Sequence, residues 1–120
     1  MNKPRKEERK KVITFTPVYD LQENFLLGYL GNLTLTGALL VSEKPIETDR
    51  YITLAIEFRE TSEIPADARI TIPARVVWCE LEEHQTYYGT GLEFLEVSGK
   101  NKKVIEAMLE KYQFSRKMPA

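Results

Sequence analysis

Most catalytic chemistry needs residues that this chain has in short supply. Its 120 residues include one histidine, His84, and one cysteine, Cys79. A single cysteine excludes an intrachain disulfide framework. No histidine, cysteine and carboxylate spacing matches a metal site. Cys79 follows Trp78 in a strand-like run and reads as a core or sheet position rather than a nucleophile. His84 sits in a polar turn beside Glu82 and Glu83, acids that read as solvated. No nucleophile, base and orienting group fall together, so the expectation is no catalytic residue, no metal and no cofactor. Long apolar runs are missing too, which excludes a membrane-spanning helix. The first residues are charged and lack the apolar segment of a secretory signal. The expected location is therefore the cytoplasm, without membrane insertion.

A mass of 13.9 kDa suits one domain with one core. The hydrophobic share of 42% and the charged share of 29% are ordinary for a globular chain. Net charge is −1, but it is unevenly spread. Residues 1–11 carry six basic side chains against two acidic ones, a net +4, and residues 100–117 do the same, which leaves −9 for the remainder. Basic ends around an acidic middle fit an anionic partner near an end, although solvated tails look the same.

Residues 1–11 read as a flexible basic arm and residues 12–120 as one domain. Strand signals dominate that domain. "VITFTPVYD" is interrupted by Pro17 and should lie at an edge or carry a bulge. "FLLGYLGNLTLTGALLVS" reads as two strands parted near Asn32 to Gly37. "YITLAIEF" alternates, with Ile52, Leu54, Ile56 and Phe58 on one face. "SEIPAD" reads as a loop, "ARITIPARVVWCE" as a long strand with a bulge or edge at Pro73, and "TYYGTGLEFLE" as its returning partner. At the end, Val104, Ile105, Met108, Leu109 and Tyr112 form a helical stripe over about 99–114, with Ser98 as N-cap. Phe114 and Met118 lie beyond the stripe as a possible exposed partner surface. Six short strands and a helix predict an all-β fold, a small antiparallel barrel with an appended C-terminal helix.

Two stretches carry candidate chemistry. "RKEER" places Arg5 and Arg9 four apart on the arm. A guanidinium donates paired hydrogen bonds to guanine O6 and N7, stacks on a purine and neutralises phosphate. "NLTLTG" concentrates an amide, hydroxyls and a glycine between apolar runs. On a strand, Asn32, Thr34 and Thr36 would face outward while Leu33 and Leu35 face the core. Asn32 offers a donor and an acceptor, Thr34 a hydroxyl, and Gly37 a bend that a β-carbon would obstruct. Threonines chosen for β propensity in a polar turn give the same letters. "GTGLEF" lacks the third glycine and the following helix of a dinucleotide fingerprint.

An R-x-x-x-R arm followed by a strand-borne [D/N]-x-S-x-x-G resembles the PilZ domain across nearly the full length. Arg5 and Arg9 match the first motif, and Asn32, Thr34 and Gly37 the second. "ARVVWCE" and "YYGTGLEF" resemble later strands of that family. The resemblance implies a six-stranded antiparallel β-barrel of the split-barrel type and binding of cyclic di-GMP. Arg5 and Arg9 would clamp guanines and phosphates, Asn32 and Thr34 would contact a guanine, and Gly37 would keep the backbone close. Threonine stands at 34 where the family usually has serine, which keeps the hydroxyl but restricts χ1.

The function this implies is a ligand-gated adaptor, a monomer or weak homodimer acting through a downstream protein partner, with motility and biofilm formation as the expected setting. A nucleotide-independent PilZ-like interaction module in pilus or motility machinery is the alternative. DNA or RNA binding fits poorly, since the middle is acidic and the sequence offers no exposed aromatic stacking motif.

Overall fold

The computed structural model describes residues 10–58 and 69–119. Among these residues, eight strands and one helix follow in order: β1 (Lys11–Ile13), β2 (Pro17–Asp20), β3 (Phe25–Leu33), β4 (Gly37–Ser42), β5 (Tyr51–Glu57), β6 (Arg69–Leu81), β7 (Tyr88–Phe94), α1 (Gly99–Lys111) and β8 (Tyr112–Phe114). Six of them close into an antiparallel barrel in the order β2-β3-β4-β7-β6-β5. The all-β barrel with its C-terminal helix is the architecture expected from the sequence. The "SEIPAD" loop and the arm through residue 9 lie outside the described residues.

Alternation of side chains builds the interior. Ile52, Leu54, Ile56 and Phe58 from the β5 run face inward with Ile70, Ile72, Ala74 and Val76 from β6. Each fully buried branched side chain contributes roughly 1.5–3 kcal/mol relative to its exposed state. Pro73 sits inside β6 without breaking it. Its carbonyl accepts from Leu95 N–H at 2.9 Å, so its missing N–H faces the side on which β7 has already ended at Phe94.

One bulge lies beside Pro17, as the sequence allowed: the β2–β3 register shifts between Val18 and Tyr19, making Leu27 an extra residue. Two others fall away from the prolines. The β3–β4 register shifts between Leu30 and Asn32, making Gly31 an extra residue. The β6–β7 register shifts between Val76 and Trp78, making Val77 an extra residue. An inserted residue inverts the in/out phase of everything after it. Leu30 and Val76 point inward, and strict alternation would send Asn32 and Trp78 inward as well; the bulges turn both onto the outer surface.

The helix begins where Ser98 caps it, its Oγ accepting from Asn101 N–H at 3.1 Å. The Asn101 side-chain amide donates to the Thr71 carbonyl at 2.8 Å, tying the first turn to β6. Ile105 and Met108 are buried in the core, with Val104 and Leu109 packed at its margin. The helix stops at Lys111, three residues short of the expected end, because the next residues are extended and pair in parallel with β1. That pairing corrects two further expectations. Lys11 is the first residue of a strand rather than the last of an arm, and Phe114 is buried against Phe58, with ring centroids 6.4 Å apart, rather than exposed. The link from β1 to β2 passes through Phe15, whose φ of 61° is uncommon for a bulky residue. Its ring meets Tyr29 edge-on at 6.1 Å, a packing contact that holds this conformation.

Candidate functional site

Asn32, Thr34, Thr36 and Gly37 line one open groove of about 480 Å³ on the outer wall of the barrel. The strand register gives its layout. One row crosses the wall as Asn32 (β3), Leu39 (β4), Gly91 (β7) and Trp78 (β6). A parallel row runs Gly37 (β4), Glu93 (β7), Arg75 (β6) and Tyr51 (β5). A larger hollow of about 690 Å³, between Phe25, Leu26, Tyr29, Ile46 and Met118, is not lined by Asn32, Thr34 or Gly37.

Asn32 is exposed at the end of β3, on the outward face expected for it. Leu33 is buried, but Leu35 is 37% exposed rather than core. The strand ends at Leu33, so the alternation that would have carried Leu35 inward stops there. Residues 34–36 form the turn into β4. The Thr34 hydroxyl builds that turn. Its Oγ1 accepts from Gly37 N–H at 3.1 Å and Thr36 N–H at 3.2 Å, and donates to the Gly37 carbonyl at 3.3 Å. Two acceptances and one donation use the full capacity of a hydroxyl. A direct contact with a ligand requires exchanging one of these bonds.

Gly37 has a different reason from the one its place near a turn predicts. Its φ is not positive. A β-carbon there would run into the Leu92 carbonyl oxygen, so glycine is required by the close approach of β4 to β7. Gly91 is similar: a β-carbon would meet Nε1, Cε2 and Cδ1 of Trp78, whose five-membered ring covers it.

The sequence reading missed Arg75 and Trp78. Arg75 Nε and Nη2 reach Glu93 Oε1 at 3.2 and 3.1 Å, and Nη1 reaches Asp49 Oδ1 at 2.7 Å. The hydrogen bond to Glu93 raises the Arg75 pKa above its ordinary value, with attraction from Glu93 and Asp49 adding to it and desolvation opposing. Within the row Arg75 and Glu93 cancel, and Asp49, which does not line the groove, takes the rest of the guanidinium. The only signal in the sequence was the position of Arg75 opposite Glu93 in a hairpin whose register was not readable. Arg5 and Arg9, the basic half of the expected site, lie outside the described residues.

Nothing catalytic assembles elsewhere among the described residues. His84 lies in the exposed hairpin turn, its Nε2 3.4 Å from Glu83. Cys79 is half-buried, its Sγ accepting from Thr90 Oγ1 at 3.3 Å and Ile46 N–H at 3.4 Å. No group of three or more histidine, cysteine or acidic residues could hold a metal among the described residues. No helix among them is long and apolar enough to cross a membrane.

The family model for the PilZ domain matches residues 3–111, a span that holds both motifs, the whole barrel and the helix. The chain belongs to the PilZ domain family. PilZ domains are binding and adaptor modules; the family includes cyclic di-GMP binders, and some members do not bind that ligand. No curated protein and no solved structure gives a significant match to the chain. Within the PilZ frame, the groove beside the β3–β4 turn is where the second family motif lies in this chain.

Proposed function

We propose that this PilZ domain binds cyclic di-GMP in the groove beside the β3–β4 turn and relays its presence to a protein partner. The observation that carries the reading is that Asn32, Thr34 and Gly37 line one open groove on the outer wall. Asn32 supplies a donor and an acceptor to a guanine edge. Gly37 keeps the β4 backbone low beside β7, and Thr34 holds the turn that presents Asn32, exchanging its 3.3 Å donation if it meets the base. The charged side chains lining the groove, Arg75 and Glu93, cancel, and Arg75 is paired with Glu93 and with Asp49 outside the lining, so the ligand's two phosphates draw on cations from elsewhere. Arg5 and Arg9 are those cations, delivered by the arm as charge-assisted hydrogen bonds and stacking.

The relay draws support from β1. The strand that follows the arm pairs residue by residue with β8, Lys11 with Tyr112 and Ile13 with Phe114. That pairing gives a ligand held by the arm a route to the C-terminal segment. A nucleotide-independent interaction module is the second reading. The hollow walled by exposed Phe25 and Leu26, with Glu43, Lys44, Glu47 and Arg50 also lining it, favours it, being a mixed apolar and charged surface suited to protein contact.

Calorimetric titration with cyclic di-GMP, with Arg9→Ala and a GTP control, tests the reading. Saturable heat that is lost in the variant and absent with GTP is expected. Binding by Arg9→Ala equal to wild type removes the arm from the site. An absence of heat in wild type transfers the assignment to the interaction module.

A further inference from the structure

The larger hollow is walled in part by the end of the chain itself. After β8 the backbone continues through residues 115–119 without helix or strand, yet it is tied to the barrel. Ser115 N–H donates to the Ile13 carbonyl at 3.0 Å. The Arg116 carbonyl accepts from the Tyr87 hydroxyl at 3.3 Å, and Arg116 Nη2 reaches both carboxylate oxygens of Glu82, at 3.1 and 3.0 Å. Glycines leave room for that pair. A β-carbon at Gly89 would run into Glu82 Oε2, and one at Gly31 would lie 3.2 Å from Arg116 Cγ. Beyond this latch Met118 is half-buried and, with Pro119, lines the hollow.

Met118 does not fill the space. Phe25 and Leu26 remain 47% and 40% exposed, although they are consecutive on β3 and strand alternation would bury one of them. Glu43 and Glu47 are exposed on the lining. Arg50 is held by buried Asp20 at 2.9 Å, while Lys44 is in no ion pair among the described residues.

We propose that this hollow is a docking seat for an extended segment of a partner protein, and that residues 115–119 are its built-in competitor, latched by Arg116 on Glu82. The tail shows the chemistry that fits. "RKMP" carries an unbranched apolar side chain directly after basic residues, and Pro119 biases Met118 toward an extended backbone. Basic residues suit the exposed Glu43 and Glu47, and the apolar chain suits Phe25 and Leu26. Methionine is apt for an occupant that must leave, because its flexible chain adapts to an irregular gap. A tethered segment competes at an effective concentration of about millimolar, so opening the latch raises the apparent affinity for a free one. The inference rests on the partner half of the reading above and needs no nucleotide.

The test uses a blocked peptide of sequence SRKMPA as the probe. It is titrated into full-length wild type, Met118→Asp and Glu82→Gln, with backbone amide resonances as the readout. Met118→Asp vacates the seat, and without peptide it should shift amides in residues 25–29 and 43–47. With peptide, the same amides should move saturably in Met118→Asp. Its apparent affinity should exceed wild type by about tenfold, as for a seat that the tail fills about nine-tenths of the time. Glu82→Gln keeps the shape of the latch without its charge and should fall between. A peptide with aspartate in place of methionine should not bind. Amides unmoved by Met118→Asp mean that the tail is not seated there. No peptide shift in that variant, equal affinity in wild type, or equal binding of the aspartate peptide each overturns the proposal. These failures leave the cyclic di-GMP titration unaffected, and a domain that ignores the nucleotide still takes the peptide.

Discussion

Replacing Thr34 by valine removes one hydroxyl and keeps the β-branched shape, which isolates what that hydroxyl does. In the folded protein it is the shared acceptor for Thr36 N–H and Gly37 N–H, at 3.2 and 3.1 Å. Each hydrogen bond contributes about 0.5–1.5 kcal/mol net, and the penalty for an orphaned donor is small here because the turn is exposed and water can replace the oxygen. The loss in Thr34→Val is therefore about 1–2 kcal/mol. For a domain of this size that is a fall in Tm of roughly 4–8 °C. Thr34→Ser restores the oxygen and removes only a methyl, and should stay within about 0.5 kcal/mol of wild type. Urea unfolding followed by circular dichroism measures both. The two variants should also part in binding, with Thr34→Ser within about twofold of wild type for cyclic di-GMP and Thr34→Val weaker because the turn that presents Asn32 is loosened. If Thr34→Val unfolds at the wild-type midpoint, or Thr34→Ser is as damaging as Thr34→Val, the hydroxyl does not hold the turn.

Two further substitutions probe the scaffold. Asp20 is 1% exposed, accepts from Gln22 N–H and Glu23 N–H at 3.0 Å each, and pairs with Arg50 at 2.9 Å. Asp20→Ala should destabilise by about 2–3 kcal/mol, below the usual range for a broken buried pair because Arg50 is 36% exposed and can turn to solvent; a loss under about 1 kcal/mol in chemical denaturation would contradict the role given to this carboxylate. Gly37→Ala forces a β-carbon against the Leu92 carbonyl, which the β4–β7 ladder cannot yield without moving. A loss of about 1–3 kcal/mol is expected, with shifted backbone amide resonances confined to β4 and β7, and an unchanged spectrum would refute the close-approach argument.

Much was legible in the residues because two periodicities are local. The alternation of Ile52, Leu54, Ile56 and Phe58 identifies a half-buried strand wherever it folds, and all four are buried. The spacing of Val104, Ile105, Met108 and Leu109 with Ser98 ahead of it likewise placed the helix and its start. The family motifs lie in short windows, and a window is enough to recognise them.

What stayed hidden depends on phase and on partners distant in the chain. A bulge is one residue that fails to pair, and whether a strand contains one is decided by its neighbour. Nothing in "LGNL" or "VVWC" announces that Gly31 or Val77 would be skipped, yet those two residues determine that Asn32 and Trp78 share a face. The helix stripe ran past its true end for the same reason. Tyr112 and Phe114 are apolar at spacings that suit a helix or a strand, and β1, a hundred residues earlier, decides between them. The sequence by itself determined the barrel, the helix and the letters of the site. Tertiary structure alone decided which side chains face the groove, because the in/out phase of a strand is set by its register with the next one.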